Sequence, residues 1–305
     1  MTGGLARHAT SLADLVGDTP LVRLGAFARE FKGIDLYAKL EFFNPGGSVK
    51  DRPALHMVRD AIARGRLTPG RTLIDSTSGN TGVAYAWIGA SLGFRVALVM
   101  PSNVSAARKQ IAESYGAELI YSDPMDGSDG AIRLVRKLVA QQPDQYFYPD
   151  QYSNEANPAA HAQTTSQEIW EQTQGQVTHF VCGIGTGGTV MGTGRGLKAR
   201  RASTRVIAVE PQEPMHGLEG LKHMPTSIVP AIYKEAELDQ KISIATDEGW
   251  DITELLFKQE GLLVGHSAGA ALAGALRVAR GMQERGERGV IVTLFADRAD
   301  RYFEL

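Results

Sequence analysis

Short apolar runs alternate with longer amphipathic segments along the chain, and this alternation predicts an α/β fold. Several runs are hydrophobic on both faces, which is typical of strands in a parallel sheet covered by helices on both sides. The predicted strands are residues 36–40, 72–75, 95–101, 117–122, 178–185, 205–211 and 289–295. The predicted helices are residues 51–65, 80–92, 105–115, 127–141, 189–200, 247–259 and 267–285, and many of them follow Gly, Ser or Thr.

Two stretches interrupt this alternation. Residues 142–166 are rich in polar and turn-forming side chains, and we expect the chain to cross between domains there. Residues 211–242 contain several prolines and form a long irregular segment, which in a compact domain is often functional.

Composition narrows the function classes without naming one. A chain of 305 residues with 43% apolar and 22% charged residues is expected to form about two globular domains. The net charge of −2 gives no sign of a nucleic-acid surface, and no apolar run reaches the length of about 18 residues that a membrane span needs. The first residues lack the apolar core of a signal peptide, and the single cysteine, Cys182, fits a reducing compartment. We therefore expect a soluble cytoplasmic protein.

Residues 265–269, Gly-His-Ser-Ala-Gly, match the G-x-S-x-G pattern of a hydrolase nucleophile elbow. In α/β-hydrolases the catalytic residues follow the order Ser, acid, His, yet none of the seven histidines follows Ser267. The order argues against such a hydrolase and leaves open a serine that caps a helix.

Lys50 lies between a Gly46-Gly47 turn and the start of an apolar helix. Most lysines are solvated surface residues, and that alternative stays open here. A lysine held at such a helix start can instead have a lowered pKa and form an imine with a carbonyl compound.

Residues 76–84 follow a predicted strand and open a helix with small polar residues and glycines. Their backbone N–H groups and hydroxyls suit an anion, which the helix dipole would also favour. A plain capped turn has the same composition, so this segment alone does not identify a ligand.

Residues 183–194 also follow a strand and contain the spacing G-x-G-x-x-G, with Glu210 further on, as in dinucleotide sites. A nicotinamide cofactor would leave Lys50 and residues 76–81 without a role. The interleaved Thr186 and Thr189 suit a terminal phosphate, which needs many donors around one dianion. A lysine, a phosphate cup, a second anion cradle and a serine at a helix start together suit pyridoxal 5′-phosphate.

The sequence resembles the cysteine synthase (O-acetylserine sulfhydrylase) family of fold type II pyridoxal-phosphate enzymes, and residues 100–119 and 220–225 are closer to its B type. The resemblance covers nearly the whole chain and rests on residues 15–24, 39–54, 76–82, 150–165, 183–189 and 261–271. It implies a tryptophan synthase β-like α/β fold with two three-layer domains and mostly parallel sheets. A smaller mobile domain would comprise residues 38–155, and the larger would join residues 1–37 to residues 156–305.

The resemblance also implies a role for each matching residue. Lys50 would form the imine with the cofactor and then act as base on the substrate Cα–H, while Asn80 would bond the phenolic oxygen and Ser267 would face the ring nitrogen. The cofactor phosphate would lie in a cup formed by Gly185, Thr186, Gly187, Gly188 and Thr189. The substrate carboxylate would be held by Thr77, Ser78, Gly79, Thr81 and Gln151. Lys222 would recognise a phosphate leaving group or an anionic donor, although a solvated lysine remains an alternative. No metal site is predicted.

Ser267 has a consequence for the reaction. A hydroxyl stabilises a protonated ring nitrogen poorly, so the ring would be a weak electron sink that suits β-elimination and disfavours transamination. We therefore expect a β-replacement, in which O-acetylserine or O-phosphoserine gives an aminoacrylate and a sulfur donor then adds to form L-cysteine. The donor would be sulfide, thiosulfate or a carrier-bound thiocarboxylate. Closure of residues 76–81 would keep water out.

Other activities share the same motifs. A cystathionine β-synthase-like enzyme would use homocysteine, a 2,3-diaminopropionate-type synthase would use an amine, and a non-catalytic regulatory paralogue would only bind the cofactor. The intact Lys50 and Asn80 argue against the last of these. The resemblance implies a homodimer, with a sulfur-carrier protein or a serine acetyltransferase as further partners.

The sequence departs from the family in a few places. His266 stands where a small or apolar residue is usual, and either a place in the cavity wall or a role in proton transfer or leaving-group recognition would explain it. The chain stops at Leu305, short of the family's C-terminal extension, which we expect to affect closure of the site and the dimer edge.

Overall fold

The computed structural model of the protein describes residues 9–77 and 79–302, so Ser78 lies outside the described residues. The strands are β1 (Leu21–Arg23), β2 (Ile34–Leu40), β3 (Thr72–Ser76), β4 (Arg95–Pro101), β5 (Glu118–Ser122), β6 (Tyr146–Phe147), β7 (Val177–Gly183), β8 (Arg205–Pro211), β9 (Gln240–Ile244) and β10 (Gly289–Phe295). The α-helices are α1 (Gly25–Ala28), α2 (Asp51–Ala63), α3 (Asn80–Leu92), α4 (Ala106–Ser114), α5 (Gly127–Gln141), α6 (Ala156–Gln163), α7 (Thr165–Gln172), α8 (Gly188–Arg200), α9 (Thr246–Glu260) and α10 (His266–Glu284).

The strands form two sheets, as expected for the α/β class. The larger sheet has the order β1-β2-β10-β7-β8-β9, and only the β1–β2 pair in it is antiparallel. The smaller sheet has the order β5-β4-β3-β6 and is parallel throughout. Parallel strands need crossover connections, and the amphipathic segments between the apolar runs supply them as helices.

Each sheet is covered on both faces because consecutive side chains of a strand point to opposite sides. In β7, Val181 joins the core that includes residues of α9 and α10, whereas its neighbours Phe180 and Cys182 join the core that includes residues of α7 and α8. In β3, Leu73 packs with residues of α2 and α3, and Ile74 packs with residues of α5. Each sheet is therefore the middle one of three layers, with helices on both of its faces.

The expected start of the smaller domain, at residue 38, falls inside β2. This strand pairs along its whole length with β10 in the larger sheet, from Ile34 opposite Gly289 to Leu40 opposite Phe295. A division by sheet would therefore begin the smaller domain after residue 40.

Residues 142–166, where we expected irregular structure, contain β6 and α6 and the start of α7. Pro158 is the third residue of α6, where a missing N–H costs no helical hydrogen bond. Helix α6 packs against both α2 and α8, so this segment joins the two sheets through ordered structure. Within the described part of the chain, no helix is long and apolar enough to cross a membrane.

Candidate active site

A cavity lies beside the carboxyl ends of β7 and β10, the position at which ligands bind in open parallel sheets. Segments far apart in sequence meet there. Its lining comprises Val49, Lys50, Asn80, Cys182, Gly183, Gly185, Thr186, Gly187, Thr189, Glu219, Gly220, Leu221, Ser267, Leu294, Ala296 and Asp297. The predicted residues Lys50, Asn80 and Ser267 are thus brought together with most of the predicted phosphate loop.

Lys50 immediately precedes α2 and faces the cavity from a well-anchored backbone. The amide of the preceding Val49 donates to the carbonyl of Ala296 at 2.8 Å, which ties this segment to the end of β10. Two residues further on, the buried Arg52 forms ion pairs with Glu41 and Glu168, each at 2.6 Å. Because both sides of Lys50 are fixed, its side chain is held at one wall of the cavity.

Burial lowers the pKa of Lys50 below that of a free lysine, and the carboxylate of Asp297 opposes this shift. The lowered pKa increases the fraction of neutral amine, the form that attacks a carbonyl or accepts a proton. Cys182 lies in the same wall, and burial raises the pKa of its thiol to about 12. The thiol is therefore neutral near pH 7 and contributes apolar surface.

Asn80, the first residue of α3, connects the two sheets. Its Nδ2 donates to Oδ2 of Asp297 at 2.5 Å, and its Oδ1 accepts from Nη1 of Arg301 at 2.6 Å. The hydroxyl of Tyr302 also donates to Asp297. Desolvation raises the pKa of Asp297, while the hydrogen bonds from Tyr302 and Asn80 and the charge of Lys50 lower it. Asn80 is thus oriented by charged partners on both ends of its amide.

The glycine-rich loop after β7 leads into α8 in a conformation that needs glycine. Gly187 has φ +88°, in the left-handed region, and is the N-cap of α8. A Cβ on Gly185 would lie 2.5 Å from the carbonyl oxygen of Gly220, so this loop packs backbone to backbone against the neighbouring segment. The amino end of a helix exposes N–H donors, which makes the loop suitable for a phosphate.

Buried polar side chains beneath this loop hold its threonines. Asn157 Nδ2 lies 3.2 Å from the hydroxyl of Thr186, and His161 Nε2 lies 3.3 Å from the hydroxyl of Thr189. Burial lowers the pKa of His161 to about 3, with the charge of Arg52 acting in the same direction. The histidine is therefore a neutral support for the loop at any pH near 7. Gly188 packs against Asn157 and is not one of the described residues that line the cavity.

Ser267 is the second residue of α10 and is buried, 8% exposed, with its side chain at the cavity wall. The N-cap of α10 is Gly265, so Ser267 does not serve as the cap. A hydroxyl in this position is available to a ligand in the cavity.

The residues predicted to hold the substrate carboxylate form a second group next to Asn80. The hydroxyl of Thr81 donates to Oε1 of Gln151 at 2.9 Å, and both side chains are buried. The amide of Gly79 donates to the hydroxyl of Thr77 at 3.3 Å. Within the described residues, none of these four lines the cavity, although Asn80 links them to it.

Lys222 and His266 lie at the periphery of the site. Nζ of Lys222 lies 5.1 Å from the centroid of the Tyr152 ring, and the Lys222 side chain is not part of the described cavity lining. His266 packs on Trp250, with ring centroids 5.1 Å apart, and burial lowers the pKa of the imidazole. His266 therefore packs on Trp250 beside Ser267 and is not part of the described cavity lining.

Sequence reasoning missed Asp297 and Glu219. Asp297 follows strand β10 by two residues, and the carboxyl end of a parallel strand is a signal that could have identified it. Glu219 lies in the irregular segment 211–242, where no local pattern distinguishes one carboxylate from another.

Comparison with known protein families shows that residues 12–297 match the family described as "Pyridoxal-phosphate dependent enzyme". A cysteine synthase from Aquifex aeolicus is 50% identical over 294 residues, which cover 96% of this chain and 90% of that protein. A cysteine synthase B from Pseudomonas aeruginosa is 42% identical over 292 residues, covering 96% of this chain and 95% of that protein.

Among solved structures, a cysteine synthase from Entamoeba histolytica is similar in fold, with a TM-score of 0.94 and 37% identity. The superposition covers 99% of this chain and 91% of that one. The likeness extends over both sheets, so the fold prediction is confirmed.

Proposed function

The chain belongs to the family of pyridoxal-phosphate dependent enzymes, and we propose that it is a cysteine synthase. It makes L-cysteine from O-acetylserine and a sulfur donor. The observation that carries this proposal is the single cavity that joins Lys50, Asn80, Ser267 and the loop of residues 185–189.

The residues around the cavity fit pyridoxal phosphate. Lys50 would hold the aldehyde through its amine, and Asn80 would hydrogen-bond the phenolic oxygen. The phosphate would lie against Gly185, Thr186, Gly187, Gly188 and Thr189, where the amino end of α8 supplies N–H donors. Ser267 would face the ring nitrogen. When bound, this cofactor supplies an aldehyde that links to amines and a conjugated ring that accepts electrons from the substrate Cα.

Lys50 has the position and charge state for proton transfer. With its amine free, Lys50 would remove the proton from the substrate Cα, and its lowered pKa favours the neutral form that this requires. The hydroxyl of Ser267 would offer the ring nitrogen a hydrogen bond without a full negative charge. This would favour loss of the acetate group at Cβ over transamination.

Residues 77–81 and Gln151 would hold the substrate carboxylate. Thr81 and Gln151 are joined by a hydrogen bond, which holds these two side chains together on the side of the smaller sheet. We propose that residues 41–155 form a mobile domain, whose movement brings this cradle over the cavity and excludes water.

The assay that tests the function mixes the yellow holoenzyme with O-acetylserine and follows the absorbance of the cofactor, then adds sulfide and measures cysteine. We expect a spectral change with O-acetylserine and cysteine formation with sulfide. No spectral change with O-acetylserine or O-phosphoserine would defeat the proposal. Thiosulfate and homocysteine in parallel reactions identify the sulfur donor and test the cystathionine β-synthase-like alternative.

We also propose that the enzyme is a cytoplasmic homodimer. Phe43, which stacks on Phe42 and is 60% exposed, offers apolar surface for a second copy of the chain. Sedimentation equilibrium tests the dimer, and a monomer at micromolar concentration would contradict it.

A further inference from the structure

The mouth of the cavity carries an ion pair between the two sheets, formed by Arg108 and Glu219. Arg108 belongs to α4, which packs beside the smaller sheet, and Glu219 lies in the irregular segment that follows β8 in the larger sheet. Nη2 of Arg108 lies 2.5 Å from Oε2 of Glu219. Glu219 also lines the cavity, so the guanidinium sits at its entrance.

Arg108 is the better held of the two partners. Its Cζ lies 5.8 Å from the centroid of the Tyr302 ring, a cation–π arrangement, and the Tyr302 hydroxyl is bonded to Asp297 in the cavity wall. The side chain of Arg108 is 30% exposed, whereas that of Glu219 is 55% exposed. The carboxylate can therefore swing into solvent while the guanidinium stays in place.

An exposed ion pair of this kind is weak because water solvates both partners well. A guanidinium binds the oxygens of a carboxylate, sulfonate or phosphate in the same planar geometry, so a ligand oxyanion can replace Glu219. Glu219 lines the cavity, and without Arg108 its charge would repel an approaching anion, whereas the charge of Asp297 is offset by Lys50 and Arg301.

We propose that Arg108 is the specificity residue that recognises the oxyanion of the second substrate, with Glu219 as an internal competitor for the same guanidinium. The inference rests on the proposed function, since it names the group that admits an anionic sulfur donor to that cavity. A donor without an oxyanion, such as sulfide, does not use this contact.

Thiosulfate is the probe, titrated calorimetrically into the holoenzyme so that no turnover is needed. We expect Arg108→Gln to weaken its binding about tenfold, since a charge-assisted hydrogen bond is lost, and Glu219→Gln to strengthen it severalfold. Arg108→Lys should lie between wild type and Arg108→Gln. Arg133→Gln is the matched control, because Arg133 is also an exposed arginine paired with a carboxylate, that of Asp126 at 2.9 Å.

The opposite effects of the two neutral variants separate recognition from general damage to the protein. Binding that Arg108→Gln leaves unchanged, or that Glu219→Gln weakens, would overturn the proposal, as would a wild-type protein that does not bind thiosulfate. The KM for sulfide should change less than about twofold in Arg108→Gln.

The test of the anion site and the test of the proposed function can fail independently of each other. An enzyme that forms no cysteine from O-acetylserine and sulfide would disprove the function, whereas the calorimetric ranking of the variants would still report on the anion site.

Discussion

Asn80 and Asp297, 217 residues apart in sequence, are joined by a hydrogen bond of 2.5 Å between Nδ2 and Oδ2. One residue begins α3 beside the smaller sheet, and the other follows β10 in the larger sheet. Their contact also lies beside Lys50, whose pKa the Asp297 carboxylate raises against the effect of burial. The same carboxylate thus orients the amide expected to meet the cofactor and tunes the lysine expected to carry out proton transfer.

Asp297→Asn should therefore move the acid limb of the kcat–pH profile to lower pH. The amide oxygen can still accept hydrogen bonds from Asn80 and Tyr302, but the charge that supports protonated Lys50 is gone. We expect a shift of about one pH unit, measured with O-acetylserine and sulfide. Asp300→Asn, at an exposed carboxylate paired with Arg298, is the control and should leave the profile in place. An unchanged pH profile in Asp297→Asn would show that the charge of Asp297 does not set the pKa of Lys50.

Gly185→Ala should weaken cofactor binding. The new Cβ would lie 2.5 Å from the carbonyl oxygen of Gly220, so the loop must separate from its neighbouring backbone. We expect the dissociation constant of pyridoxal phosphate to rise at least about tenfold, measured by equilibrium dialysis. Gly25→Ala adds a Cβ that meets no atom within 4 Å and should bind the cofactor normally. Equal affinities for the two variants would show that the tight packing of this loop is not required.

Gln151→Ala should impair the binding of the amino-acid substrate. Removal of Oε1 leaves the buried hydroxyl of Thr81 without the acceptor it has at 2.9 Å. We expect the KM for O-acetylserine to rise about tenfold and the KM for sulfide to stay nearly constant. Gln167→Ala, at a side chain on the surface of α7, serves as the control. A proportional rise in both KM values would place Gln151 outside the carboxylate cradle.

Lys222→Ala should lower kcat/KM to different extents for O-phosphoserine and O-acetylserine. Nζ of Lys222 lies over the Tyr152 ring, and burial lowers the pKa of its ammonium while the charge of Asp129 opposes the shift. If the ammonium turns toward a phosphate leaving group, its loss should lower kcat/KM for O-phosphoserine about tenfold more than for O-acetylserine. Equal losses for both esters would mean that Lys222 only packs on Tyr152.

Asp75 makes the stability of the fold depend on pH. Burial raises the pKa of this carboxyl to about 7, with the hydrogen bond from the amide of Ser76 acting in the opposite direction. Because the folded protein holds the proton more tightly than the unfolded chain, this contribution is fully present below pH 3.8 and is lost as pH rises through about 7.

Asp75→Asn lacks this ionisation and should gain stability relative to wild type between pH 5 and pH 8, by about 2–4 kcal/mol. Urea unfolding at the two pH values measures the difference. A stability difference between the two proteins that does not change with pH would show that Asp75 is not buried with a raised pKa.

The sequence predicted every strand inside the two sheets and the edge strand β5, but it missed the other edge strands. The predicted bounds 95–101, 205–211 and 289–295 agree with β4, β8 and β10, which lie inside the sheets and are apolar on both faces. The missed strands β1, β6 and β9 all lie at sheet edges. An edge strand pairs on one side and faces solvent, so it is short or polar and gives little hydrophobic signal.

In the functional site, too, local sequence patterns identified individual residues but not the contacts between distant segments. Lys50, Asn80 and the glycine loop each follow a strand or begin a helix, and these local patterns were enough to single them out. The contacts of Asn80 with Asp297, and of Arg108 with Glu219, join segments that only the folded chain brings together. No periodicity along the sequence reports such distances.

The central claim is that Lys50 holds pyridoxal phosphate in the cavity between Asn80 and the loop of residues 185–189. The most direct measurement treats the holoenzyme with borohydride, which fixes the cofactor to its lysine, and identifies the labelled peptide by mass spectrometry. We expect the label on Lys50 and an unlabelled, colourless protein in Lys50→Ala. A label on another lysine, or a Lys50→Ala protein that still carries the reduced cofactor, would contradict the account.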